Sequence, residues 1–169
     1  MKSFIHKISI LLFICVLYSC DQHKNPYFET IFKTGKGHLR GVEIGSSLKK
    51  VKSMEDPKFL KDEMPDYLHY DYTLDMGNSY TVTYDFSQED QLYGIELAVF
   101  FDVIEDANTL FEDFSDHFNK KYGKGKKEED GYTIWKTKSN QLAGNVEIAM
   151  INDSQTYGYI SIIIRDLDY

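Results

Sequence analysis

Three side chains with ligand chemistry fall on neighbouring strand-like stretches. His69 and Asp71 are two apart within Tyr67 to Leu74, and Glu96 lies within Gln91 to Phe101. Residues two apart on a strand share a face, and an imidazole with two carboxylates is a donor set that a divalent cation accepts. The same acids invite a general acid–base pair or the paired carboxylates of glycoside hydrolysis. Both chemistries need a pocket, and nothing in the spacing marks one. No GxSxG, HExxH or P-loop spacing occurs anywhere in the chain. With 27 Asp and Glu in 169 residues, such trios arise on a solvated sheet face by composition alone. His69, Asp71 and Glu96 therefore stand as weak metal candidates, and no catalytic set, bound metal or cofactor is expected. His117, between Asp113 and Lys121, reads as an exposed helix residue rather than a ligand.

Thiol chemistry rests on Cys15 and Cys20. Lys2 and Lys7 precede an apolar run from Ile8 to Leu17, and Ser19 is a small residue before Cys20. The run is about half of the roughly 20 apolar residues that a membrane-crossing helix needs. The arrangement Leu17-Tyr18-Ser19-Cys20 resembles a bacterial lipoprotein signal, with Tyr18 bulkier than the usual residue there. That resemblance implies cleavage after Ser19 and acylation of Cys20 by more than one chain, which stable anchoring requires. Cys15 would leave with the signal and Cys20 would be consumed by lipid. No thiol would then remain for a disulfide, a redox pair or a nucleophile.

The expected organisation is a cleaved signal over 1–19, a lipidated cysteine and polar tether over 20–38, and one domain over 39–169. Tyr27, Phe28 and Phe32 can pin the second half of the tether, so order is expected to begin between Tyr27 and Leu39. Losing Lys2 and Lys7 shifts the formal charge from −8 to about −10. This acidity argues against nucleic acid and against adsorption to anionic headgroups, and it suits a basic partner. The basic run from Lys120 to Lys127 is offset by Glu128, Glu129 and Asp130 and reads as a solvated loop.

The elements that would position these residues are a mixture of helices and strands. Ser46 or Ser47 can cap a short helix bearing Leu48, Val51 and Met54, which Pro57 ends. Tyr67 to Leu74, Ser79 to Phe86 and Gln91 to Phe101 alternate with period two and are joined by short turns, so they predict an antiparallel meander. Asp102, with Glu105 three residues on, predicts the capping box of a long helix. Its apolar stripe is Ala107, Leu110, Phe111, Phe114 and Phe118, and Gly123 stops it. Three more strands are expected near Tyr132 to Thr137, Asn145 to Ile151 and Tyr157 to Arg165, with Ile160, Ile162 and Ile164 buried.

Leu92 to Asp102 parallels Thr156 to Asp166, each opening on a Tyr-Gly pair, and each half reads helix, strand, strand, strand. The expected fold is α+β: tandem duplicated αβββ units over about 41–102 and 103–166, an antiparallel sheet, and helices packed on one face. Arg40-Gly41-Val42, Gly45, Ser47, Val51-Lys52 and Glu55, followed by Tyr84 to Phe86, resemble a recurring class of small exported bacterial proteins. The helix-then-meander unit used twice resembles the β-lactamase-inhibitor-protein-like fold, whose single-unit relative is the small accessory lipoprotein of outer-membrane barrel assembly. A glycine-x-proline common after the first helix of those relatives is replaced here by Glu55-Asp56-Pro57.

The resemblance implies binding or scaffolding rather than chemistry. The wet sheet face is the expected binding surface, with His69, Asp71, Thr81, Thr83, Asp85, Glu96, Phe100, Tyr159 and Arg165. Aromatics and Arg among polar groups match the composition of interfaces, although antiparallel sheets commonly leave one face solvated. The expected function is a membrane-anchored, non-catalytic protein-binding or accessory module of the cell envelope. The alternative is an inhibitor or immunity-type protein that neutralises a basic exported toxin or hydrolase. The expected partners are a membrane, through the lipid, and a protein. The periplasmic side of the outer membrane is preferred over the inner membrane or the cell surface.

Overall fold

In the computed structural model the described residues are 24–169; Cys20 and the signal segment lie outside them. Among the described residues the fold is α+β, with one eight-stranded antiparallel sheet and three α-helices. Helix α1 spans Phe28–Phe32 and α2 spans Leu48–Met54; a 3-10 turn follows at Pro57–Phe59. Strands β1 (Leu60–Met64), β2 (Tyr67–Thr73), β3 (Ser79–Phe86) and β4 (Leu92–Phe101) precede helix α3 (Ile104–Tyr122). Strands β5 (Lys126–Lys127), β6 (Thr133–Lys138), β7 (Asn145–Asn152) and β8 (Gly158–Asp166) complete the chain. No helix among the described residues is long and apolar enough to cross a membrane.

The strand order is β1-β2-β3-β4-β8-β7-β6-β5. Two four-strand meanders thus meet at β4 and β8, paired from Gly94 opposite Arg165 to Phe101 opposite Gly158. Each half contains one strand more than its residue pattern suggested. β1 is an edge strand whose last four residues are exposed, so it shows no alternation of apolar and polar side chains. β5 has only two residues, both lysine.

Alternation sets the core. Leu68, Tyr70 and Tyr72 of β2, Tyr80, Val82 and Tyr84 of β3, and Ile95, Leu97 and Val99 of β4 are buried on one face. Ile160, Ile162 and Ile164 of β8 and Val146, Ile148 and Met150 of β7 continue it. Helix α3 packs against β4, β6, β7 and β8, and its buried residues are Ala107, Leu110, Phe114 and Phe118. Gly158 allows close approach here, since a Cβ on it would fall 2.8 Å from the Ala107 Cβ.

Helix ends differ from expectation in one place. Ser47 caps α2 as its spacing suggests, its Oγ accepting from the Lys50 amide at 3.3 Å. The expected Asp102 cap of α3 does not form. Val103 occupies the N-cap position without a side-chain cap bond, while the Asp102 amide donates to Asn78 Oδ1 at 3.1 Å. The first turn is still favoured by Glu105 and Asp106, and the last by Lys120 and Lys121.

The segment expected to be a tether takes part in the fold. Phe28, Ile31 and Phe32 of α1 are buried, and Phe28 meets Phe114 edge-on with centroids 5.2 Å apart. The Asn25 amide donates to Asp113 Oδ2 and its side-chain Nδ2 to the Asp106 carbonyl, both at 2.7 Å. His117, expected to be exposed, is partly covered by Phe32, with ring centroids 4.3 Å apart. Helix α3 thus shelters Phe28 and Phe32 of this segment.

Candidate functional site: the outer face of the sheet

All nine residues expected on the wet face have the strand parity opposite the core, and the register brings them onto one surface. His69 pairs with Thr83, and Thr83 with Glu96. Asp71 pairs with Thr81, and Asp85 with Gly94, which in turn faces Arg165. Phe100 pairs with Tyr159, their ring centroids 5.1 Å apart. Glu96 and Arg165 are exposed, and the other seven are half-buried among their neighbours.

The weak metal candidates are spread along this face. His69 Nδ1 is hydrogen-bonded to Thr83 Oγ1 at 3.0 Å, and Thr83 stands between His69 and Glu96 in the register. Two strand spacings, roughly 9–10 Å, therefore separate those side chains. Among the described residues no three His, Cys, Asp or Glu side chains are grouped to hold a metal ion. Asp85 has its carboxyl raised by burial, and the charges of Glu96 and Asp66 add to this.

Residue patterns missed the other half of the face. One row across the sheet runs His69, Thr83, Glu96, Ile163, Ala149, Ile134. Ile151 lies beside it, opposite Ser161. The first three positions are polar and the last three apolar, so the face changes character at the β4–β8 seam. Ile163 escaped notice because β8 is nearly apolar throughout, and alternation carries no signal in such a run. Its parity, odd against Ile160, Ile162 and Ile164, was the only cue. Beyond the apolar row, Arg165 reaches Glu147 at 2.7 Å.

A second polar constellation is buried on the core side. Arg40 and Glu55 have fully buried side chains and form a two-point ion pair, Nε to Oε1 at 2.7 Å and Nη2 to Oε2 at 2.8 Å. Tyr72 and Tyr84 donate their hydroxyls to the same carboxylate, and Lys33 donates from the rim at 2.7 Å. Arg40 also donates to the Ile31 carbonyl of α1 and lies over the Tyr72 and Tyr80 rings. Burial alone would raise the Glu55 pKa, but the Arg40 hydrogen bonds and charge outweigh it and hold it at about 2. Burial and the neighbouring carboxylate push Tyr84 well up. Arg40 itself has φ +52°, a left-handed backbone uncommon outside glycine. These groups tie α1, the end of α2, β2 and β3 together, and every oxygen of Glu55 is occupied.

A surface cleft of about 720 Å³ lies at the other edge, lined by Gly35, Gly37, His38, Glu43, Lys121, Tyr122 and Lys136 to Lys138, with Asn140 and Asn145. Its polar groups are mostly used in holding loops. Lys121 donates to the Gly35 and Gly37 carbonyls, Glu43 accepts from Asn140, and His38 Nδ1 accepts from the Ile44 amide at 3.1 Å. Burial lowers the His38 pKa. No family model matches this chain, and no curated protein or solved structure shows significant similarity to it.

Proposed function

We propose that this chain is a lipid-anchored cell-envelope protein that binds a protein partner through the outer face of its sheet and performs no chemistry of its own. The observation that carries the binding half is the row His69, Thr83, Glu96, Ile163, Ala149, Ile134. It offers a polar patch beside an apolar one on an eight-stranded antiparallel sheet, with Phe100 and Tyr159 at one end. Apolar surface adjoining polar groups and aromatics is a composition that interfaces use. The anchoring half rests on Cys20 and its preceding residues.

The symmetric strand order supports the finer reading of the fold, two tandem units with their helices on one face and the other face left open. In it α2 precedes β1 to β4 and α3 precedes β5 to β8. Each unit then holds four strands rather than three. The likeness to β-lactamase-inhibitor-protein-like folds belongs to the same proposal, and fold alone does not fix function.

A second reading follows from the acidic half of the face. Asp62, Asp71, Asp85 and Glu96 gather there on β1 to β4, which favours a basic partner such as an exported toxin or hydrolase. Affinity purification of the lipidated protein from its native envelope tests both. A specific partner should be recovered with the wild type and lost with Phe100→Asp or Ile163→Asp, while Glu89→Lys at the β3–β4 turn leaves it bound. Recovery that ignores both face variants sinks the proposal; a single basic secreted enzyme as partner selects the second reading.

A further inference from the structure

One end of the sheet gathers three exposed apolar side chains. Met76 in the β2–β3 turn is 79 % exposed, Val103 between β4 and α3 is 46 % exposed, and Tyr157 before β8 is 51 % exposed. Single exposed apolar residues are ordinary, but these three are carried by adjoining turns along one rim. Gly77 lies against Asp102, Gly158 lies against the Val103 carbonyl, and Tyr157 adjoins Phe100 with ring centroids 6.4 Å apart. The register puts Thr73, Ser79, Phe100 and Tyr159 in one line directly behind them.

The chain enters the fold at this same rim. Asn25 is 3 % exposed and is bonded to Asp106 in the first turn of α3 and to Asp113 about two turns on. Tyr27 bonds Asp75 in the β2–β3 turn, and Asn78 donates to the Tyr27 hydroxyl. Cys20 and Asn25 are five residue steps apart, a reach of at most about 18 Å even when fully extended. The opposite end of the sheet lies about 25–30 Å further along the strands. A lipid on Cys20 can therefore bring this rim to a bilayer surface and cannot bring the far end there.

Resting on the reading of Cys20 as lipidated, we propose that the rim of Met76, Val103 and Tyr157 docks on the bilayer surface. The anchor and the rim together would stand the sheet upright with its outer face open from the side. Met and Val suit the boundary between headgroups and acyl chains, and Tyr has the amphipathic ring favoured at that depth. Asp75, Asp102, Glu105 and Asp153 flank the rim, so the surface it fits is zwitterionic rather than anionic.

The test uses the full lipidated chain in vesicles of phosphatidylethanolamine and phosphatidylcholine. An environment-sensitive dye is placed at Met76→Cys or, at the opposite end, at Glu89→Cys. A spin-labelled headgroup lipid should quench the dye at 76 at least about threefold more than at 89, since interfacial residues enter only some 5–10 Å. Equal quenching in protein that still floats with the vesicles overturns rim docking and leaves the lipid anchor standing. Dye self-quenching at 76 that tracks protein density instead of spin label assigns the rim to a second copy and also overturns it. Protein that neither carries lipid on Cys20 nor floats removes the anchoring reading and the docking with it.

Discussion

Glu55 holds a negative charge where no water reaches it, and five donors keep it there: two from Arg40, the hydroxyls of Tyr72 and Tyr84, and Lys33. Removing one member of a buried pair leaves the other uncompensated, which is worth roughly 3–5 kcal/mol. Glu55→Gln is expected to destabilise the domain by about that amount in urea denaturation at pH 7, because Arg40 stays charged and buried. The pH dependence follows from the direction of the shift. The folded pKa of about 2 lies below the ordinary value of 4.5, so the stabilisation is fully present above about pH 4.5. It is lost as the pH falls towards about 2. The wild-type urea midpoint should drop more steeply than that of Glu55→Gln across that window, and parallel slopes would refute the assignment. Tyr84→Phe should cost about 1–3 kcal/mol for the donor taken from a buried carboxylate, with an unchanged midpoint arguing that the hydroxyl is dispensable. The resemblance drew attention to Arg40 and Glu55 singly, but their pairing was not legible in the residues. Arg40 and Glu55 are 15 positions apart, on a loop and past a helix end, and no periodicity links them. His69, Thr81 and Glu96, by contrast, were placed on one face by alternation alone.

Helix α1 has five residues, too few to hold together without tertiary packing, and its stretch of sequence reads as the second half of a tether that aromatics can pin to the domain. Its stability comes from burying Phe28, Ile31 and Phe32 against α3 and from the Ile31 carbonyl that receives Arg40. Phe32→Ala is therefore expected to lower stability by roughly 3–5 kcal/mol, the range for removing a buried aromatic side chain. The same substitution in a tether would leave the thermal midpoint where it was, and that outcome would show α1 to be dispensable. Strands β2, β3 and β4 were legible because one face is wet and the other dry, which stamps a period of two on the residues. Strand β1 was not, because an exposed edge strand pairs on one side only and its side chains meet water on both faces. Helix α3 was legible from its Phe stripe but not in its cap, since Asn78, a residue 24 positions earlier, takes the Asp102 amide.

At the scale of the whole molecule the question is whether two meanders make one cooperative unit. The β4–β8 seam is paired along eight residue positions on each side, and α3 lies across it, touching β4 of the first half and β6, β7 and β8 of the second. Segment α1 comes before the first half in sequence yet packs on α3, with Asn25 bonded to Asp106 and Asp113. Neither half can open along the seam without exposing Leu97, Val99, Ile160 and Ile162 together. At roughly 1.5–3 kcal/mol for each buried aliphatic side chain, exposing these four costs about 6–12 kcal/mol, comparable to the 5–15 kcal/mol that holds an ordinary domain together. The only tryptophan, Trp135, is in the second half, tilted against the Phe118 ring with its Nε1 donating to Asn119 Oδ1. Tyr70, Tyr72, Tyr80 and Tyr84 crowd the first half and are expected to report on it in near-ultraviolet dichroism. Urea unfolding followed by Trp135 fluorescence and by tyrosine dichroism should give one midpoint and one slope. A separation of the two curves would mean that the two halves fold as independent units and that the seam is a contact between domains. A coincident transition would make the outer face one rigid platform, able to present its polar and apolar halves to a single partner at fixed spacing.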